Sequence, residues 1–143
     1  MVTLELTACS PEEGRALVAG LGLRAAPVAD DAWFPAHAPL EDEPLLALLL
    51  ARVAACTGAT DPECTFLDHH AGLVAAAVED AVARLRAVPP LHDAELRFGV
   101  RGLPEAIALG VDGWIAGPDA AALRALAAER VEAHLAPLAA RLG

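Results

Sequence analysis

The chain has 143 residues, a length that suits one domain around one core. Hydrophobic residues make up 56% and aromatics only 3%, and 20 acidic against 10 basic residues give a formal net charge of −10. A chain this acidic is repelled by phosphate backbones and anionic lipid, which excludes nucleic acid and membrane surfaces as partners and leaves small molecules, cations and basic proteins.

Ala, Leu, Arg and Glu dominate, and these residues lose little rotamer freedom in a helix, so the composition predicts a mainly α fold. Lys, Asn, Gln and Tyr are absent, a bias expected of a GC-rich bacterial genome. The opening MVTLELTACSPEEGR lacks the basic start and apolar stretch of a secretion signal. Cys9, Cys56 and Cys64 are too few, and odd in number, for a disulfide framework. A cytoplasmic protein with free thiols is therefore expected.

Val2, Leu4 and Leu6 alternate with Thr3 and Glu5, the period of a half-buried strand. Ser10, Pro11 and Glu13 form a capping box with Pro at the first helical position, which predicts a helix from about Pro11 to Leu21, ended by Gly20 and Gly22. Residues 24–40 contain three Pro, no helical period and the adjacent aromatics Trp33 and Phe34. That stretch reads as a long loop, which either covers a site or packs as an Ω-loop.

Residues 44–56, PLLALLLARVAAC, are apolar on every face except at Arg52 and read as the central, buried helix. The stretch is too short to cross a bilayer, and Arg52 would be costly there. Thr60, Asp61, Pro62 and Glu63 open a further helix reaching about Val88, with Phe66, His70, Leu73, Val74, Ala77, Ala81 and Leu85 on one stripe. Pro89 and Pro90 force an extended turn.

Leu96, Phe98 and Val100 alternate as a second short strand, which can pair with residues 2–6. Pro104 to Leu109 reads as a short helix. Pro118 starts the last helix, with Leu123, Leu126, Val131, Leu135, Leu138 and Leu142 near helical spacing and Pro137 set to kink or end it. The expected architecture is one domain over 1–143: a compact bundle of about five helices around 44–56, with one short β pair of 2–6 against 95–100.

Four groups of residues carry potential chemistry. A buried Arg52 must find an anion, either an internal carboxylate such as Asp68, Glu79 or Asp80, or a ligand carboxylate or phosphate at the floor of an apolar pocket. His70 and His134 lie on the inner stripes of two helices. If those helices pack together, the imidazoles meet and act as acid and base or hold a metal; the bland alternative is core histidines bonded to carbonyls. Cys64 falls near a helix N-terminus that can lower a thiol pKa, opposed by Asp61 and Glu63. Asp68, His69 and His70 point to different helix faces and lack metal-pair spacing, so no metal ligands are assigned.

ARVAACTG at 51–58 followed by CTFLDHHAGLVAAA at 64–77 resembles the helix, CxxC and His region of the carboxymuconolactone decarboxylase and AhpD-like family. The resemblance implies a redox alternative. Leu67 stands where the second Cys would, so no catalytic residue is carried over.

The function expected is binding or transformation of a small acidic or hydrophobic molecule in an apolar pocket floored by Arg52, flanked by His70 and His134 and covered by Trp33 and Phe34. No cofactor is specified. The alternative is an acidic interaction or regulatory module, homodimeric through the C-terminal helix, and a metal-dependent or AhpD-like redox protein stands behind both.

Overall fold

The computed structural model describes residues 6–143. In chain order they form β1 (Thr7–Ala8), α1 (Pro11–Gly20), β2 (Arg24–Ala25), β3 (Trp33–Pro35), α2 (Ala38–Glu41), α3 (Glu43–Thr57) and α4 (Pro62–Leu85). Then follow β4 (Ala87–Val88), β5 (Glu95–Phe98), β6 (Pro104–Leu109), β7 (Ile115–Ala116) and α5 (Ala120–Leu142).

The helices start where the sequence signals them. Ser10 and Glu13 exchange capping hydrogen bonds at α1, Asp42 accepts from the Leu45 amide at α3, and Asp61 accepts from the Cys64 amide at α4. Each satisfies an amide that the first helical turn leaves unpaired. Helix α4 ends on Arg86 in the left-handed region, two residues before the expected end, and the chain turns directly into β4. Helix α5 runs through Pro137 to Leu142 and is not ended by it.

The helical bundle with one β pair is overturned by two sheets. One holds three strands in the order β1-β7-β4, all antiparallel. The other holds four in the order β2-β6-β5-β3, with β2 parallel to β6 and the remaining pairs antiparallel. The strand at 95–98 exists, but its partners are β3 and β6. The expected strand at 2–6 lies outside the described residues apart from Leu6, which is in neither sheet.

Two stretches changed class for identifiable reasons. Residues 104–109 form β6, between β2 and β5 in the sheet, with Ile107, Ala108 and Leu109 buried. The two neighbouring strands pair its backbone along its length, and that overrides the helix propensity of its two alanines. The supposed loop at 24–40 supplies β2, β3 and α2, and its Trp33 and Phe34 sit opposite Arg97 and Leu96 of β5.

The central helix is α4 and not α3. Helix α3 buries only Leu46, Leu49 and Val53, one face at helical spacing, while Leu48 is 50% exposed. Helix α4 buries Phe66, His70, Val74, Val78, Ala81 and Val82 and packs against α1, α3, α5, β4 and β6. Its first turns join an apolar cluster of Leu46, Leu49, Val53, Leu103, Leu138 and Leu142, and its later turns join a larger one around Leu96, Ile107, Leu109, Trp114 and Leu123. His70 sits on α4 between these two clusters, and His134 does so on α5.

One close approach fixes the edge of the larger cluster. Trp114 is fully buried and donates its indole N–H to the Gly110 carbonyl at 2.8 Å. Gly14 of α1 lies so near the Val111 carbonyl and the Trp114 ring that a methyl group there would overlap both. No single helix is long and apolar enough to cross a membrane among the described residues; α3 and α4 combine that length and composition only as a pair, across a 97° bend.

Candidate functional site

The packing of α4 on α5 brings His70 and His134 together, with Nε2 of one 2.9 Å from Nε2 of the other. His70 is fully buried and His134 is 5% exposed. Burial is the main cause that holds both below the ordinary imidazole range, His70 at about 3 and His134 at about 4, with His37 and, for His70, His134 adding repulsion. Both rings are therefore neutral at pH 7, and one nitrogen of the contact carries the proton.

His70 Nδ1 is buried without a hydrogen-bond partner among the described residues. An orphaned N–H there is less favourable than an orphaned lone pair, so the consistent tautomer has His70 donating from Nε2. His134 then accepts at Nε2 and carries its own hydrogen on Nδ1.

A third histidine completes the cluster. The Ala36 amide donates to the Ala94 carbonyl at 2.9 Å just past the β3–β5 ladder, which sets His37 at the start of α2. The His37 ring stacks on His134, with centroids 4.5 Å apart, and its Nε2 lies 2.8 Å from the His134 carbonyl. A carbonyl only accepts, so His37 must donate from Nε2. Neutral His37 consequently keeps its lone pair on Nδ1, and its side chain makes no capping bond to α2.

His37 and His134 border a pocket of about 460 Å³, walled also by the segment after β4 (Pro90, Leu91, His92), by Gly113, and by Arg130 and Ala133 of α5. Arg130 and His134 share one face of α5 by their spacing of four. Arg130 Nη1 donates to the carbonyls of Pro89 at 2.9 Å, Gly113 at 3.0 Å and Val88 at 3.4 Å. No described residue accepts from its Nη2 or Nε, and none of the ion pairs found among the described residues includes it. Burial pulls its pKa down against the opposing charge of Glu129. In a chain of net charge −10, this pocket has a guanidinium and three imidazoles on its walls and no carboxylate among the described residues.

The other expected site residues lie elsewhere. Arg52 is exposed on α3, takes part in none of the ion pairs among the described residues and lines neither this pocket nor the groove between α4 and α5; the flanking Leu residues suggested burial, but its face of α3 is turned to solvent. Asp80, one of its expected partners, pairs instead with Arg84 at 2.9 Å. Trp33 packs against Ala26 and Ala108 under the Arg97 guanidinium, 5.7 Å from the ring centroid. Phe34 stacks toward Phe98, and Phe98 toward Phe66, each pair with centroids 6.0 Å apart. Neither Trp33 nor Phe34 covers the histidine pocket.

Cys64 is an exposed thiol whose Sγ lies 3.9 Å from Asp68 Oδ2. The Asp68 charge, then desolvation, then Asp61 raise its pKa, so the helix N-terminus does not activate it. All three cysteines are free. No group of three or more His, Cys, Asp or Glu is arranged to hold a metal among the described residues.

Sequence reasoning found His70 and His134 but missed His37, His92 and Arg130. The spacing of Arg130 and His134 was a usable signal, since it puts both on one helix face; His37 reaches the site only through the β3–β5 pairing. A second concavity, a groove of about 640 Å³ between α4 and α5, is walled largely by Val78, Val82, Ala127 and Val131 and edged by Glu79, Arg124 and Glu132. No protein-family model matches this chain, and neither a curated protein nor a solved structure does.

Proposed function

We propose that this protein binds a small oxyanion, a carboxylate or a phosphate ester, in the pocket bordered by Arg130, His134 and His37. The observation that carries this reading is Arg130: a partly buried guanidinium, fixed by three backbone carbonyls on one nitrogen, with no ion pair among the described residues. A guanidinium cannot shed its charge to relieve burial, and its planar fork matches a carboxylate or phosphate. The adjoining apolar surface of Pro90, Leu91 and Ala133 suits the hydrophobic part of an organic acid.

His134 contributes a ring edge to the pocket, and His70 acts behind it as a positioning residue that fixes its tautomer and orientation. The pair supports acid–base work on a bound ligand, with binding as the primary activity. The free thiols support a cytoplasmic setting.

Isothermal titration calorimetry with inorganic phosphate, sulfate and benzoate tests the reading. At least one of the three binds the wild-type protein, and Arg130→Met weakens it by about tenfold or more, the loss expected for a charge-assisted contact. Failure of all three to bind contradicts it.

The alternative, an acidic interaction module that dimerises through α5, is favoured by one observation: the aliphatic groove between α4 and α5. Native mass spectrometry separates the readings. A dimer that dissociates on Ala128→Arg, combined with no anion binding, supports the module.

A further inference from the structure

Resting on the anion-binding reading, we infer that anion capture in this pocket is coupled to uptake of one proton at Nδ1 of His37, so that the site takes an oxyanion together with a proton. The argument follows from the hydrogen-bond geometry. His37 Nε2 is committed as a donor to the His134 carbonyl at 2.8 Å, which leaves Nδ1 as the only nitrogen of that ring able to accept a proton.

The groups packed against His37 direct the proton there. From α5, His134 stacks on it and Arg130 lies one turn away along the same helix face. From α4, His70 stands behind His134 at 2.9 Å, and both of those nitrogens are already engaged with each other. From the segment after β4 comes His92, an exposed ring 3.8 Å from the Asp93 carboxylate. Burial disfavours charge on His70 and His134, and two stacked rings do not both become cations readily. His37 is only half-buried on the pocket wall, so an imidazolium there keeps part of its hydration.

Arg130 and His37 share the pocket wall, so a second positive charge there is set against the guanidinium. A bound oxyanion offsets the Arg130 charge and supplies a negative partner for a proton at Nδ1. The proton comes from solvent and no covalent bond changes. By reciprocity, affinity for the anion falls as pH rises.

Sulfate is the probe, because it stays a dianion throughout the working range and any proton taken up belongs to the protein. Calorimetry at pH 7.5 in buffers of different ionisation enthalpy gives the number of protons bound per sulfate. The expected result is a positive number, up to one, with affinity falling between pH 6 and pH 8.5. His37→Gln keeps an N–H donor for the His134 carbonyl but has no basic nitrogen, so it binds sulfate more weakly and with no proton uptake. Sulfate binding without uptake in the wild type overturns the inference and leaves the anion site standing, as does uptake that persists in His37→Gln, which would place the proton on His92. A wild type that binds none of sulfate, phosphate or benzoate overturns both.

Discussion

Helix α5 borders two concavities of opposite character. The groove it forms with α4 is the larger, at about 640 Å³ against about 460 Å³, and its walls are aliphatic side chains with charges only at the edge. The smaller pocket collects a guanidinium and three imidazoles from three separate parts of the chain. Volume favours the groove and chemistry favours the pocket. Aliphatic side chains between two helices follow from ordinary packing, whereas a partly buried Arg130 with no ion pair among the described residues needs an explanation beyond packing.

The largest expected effect separates the buried chemistry of the pocket from its surroundings. The unfolded chain's imidazoles take up protons below about pH 6.5, while folded His70 and His134 refuse them until about pH 3 and pH 4. Stability therefore falls with falling pH between about 6.5 and 4, by at most about 3 kcal/mol per pH unit when both contribute. Urea melts of the wild type and of His70→Leu/His134→Leu at several pH values check this, since the double variant loses that part of the slope. Equal slopes would remove the claim that the pair is held neutral.

Next in size is Gly14→Ala, where a methyl group meets the Val111 carbonyl and the Trp114 ring. Either the loop at 110–114, which forms one wall of the pocket, shifts or α1 does, and a loss of about 1–3 kcal/mol is expected. Thermal denaturation gives the loss, and weaker anion binding in the same variant identifies the loop as the part that moved.

A smaller effect concerns the other end of α4. The Asp68 carboxylate is the largest of the causes that raise the Cys64 thiol pKa, so Asp68→Asn speeds its reaction with iodoacetamide at pH 7.5 several-fold. An unchanged rate would mean the 3.9 Å contact does not govern the thiol. The smallest effect sharpens the contrast between the cavities: Ala128→Arg, on the exposed edge of the groove, alters anion affinity by less than about twofold, within the range of a surface change.

The helices were legible because their signals are local. Caps at Ser10 and Asp61 and the apolar stripe of α4 lie within a few residues of what they specify, and the same stripe placed His70 inside. The strands were largely hidden, because β6 is partly built from alanine and β2, β4 and β7 have two residues each, too few for a period to register. Arg52 misled for a different reason. Its apolar neighbours predicted burial, yet α3 has neighbours on one face only, and a helix apolar all round can still be peripheral.

The pairing of His70 with His134 was readable as a condition on two helices packing together. His37 and Arg130 were not, since their meeting depends on the β3–β5 register and on the carbonyls of Val88, Pro89 and Gly113. Such a site is assembled by long-range topology, and no local motif marks it.

The most direct test of the central claim is a backbone-amide NMR titration with benzoate, which reads both cavities in one experiment. The account predicts saturable shifts clustered at His37, Leu91, His92, Gly113, Arg130 and His134, with Val78, Val82 and Ala127 of the groove unmoved. Shifts confined to the groove would contradict it, as would no shifts in either cavity with benzoate, phosphate or sulfate.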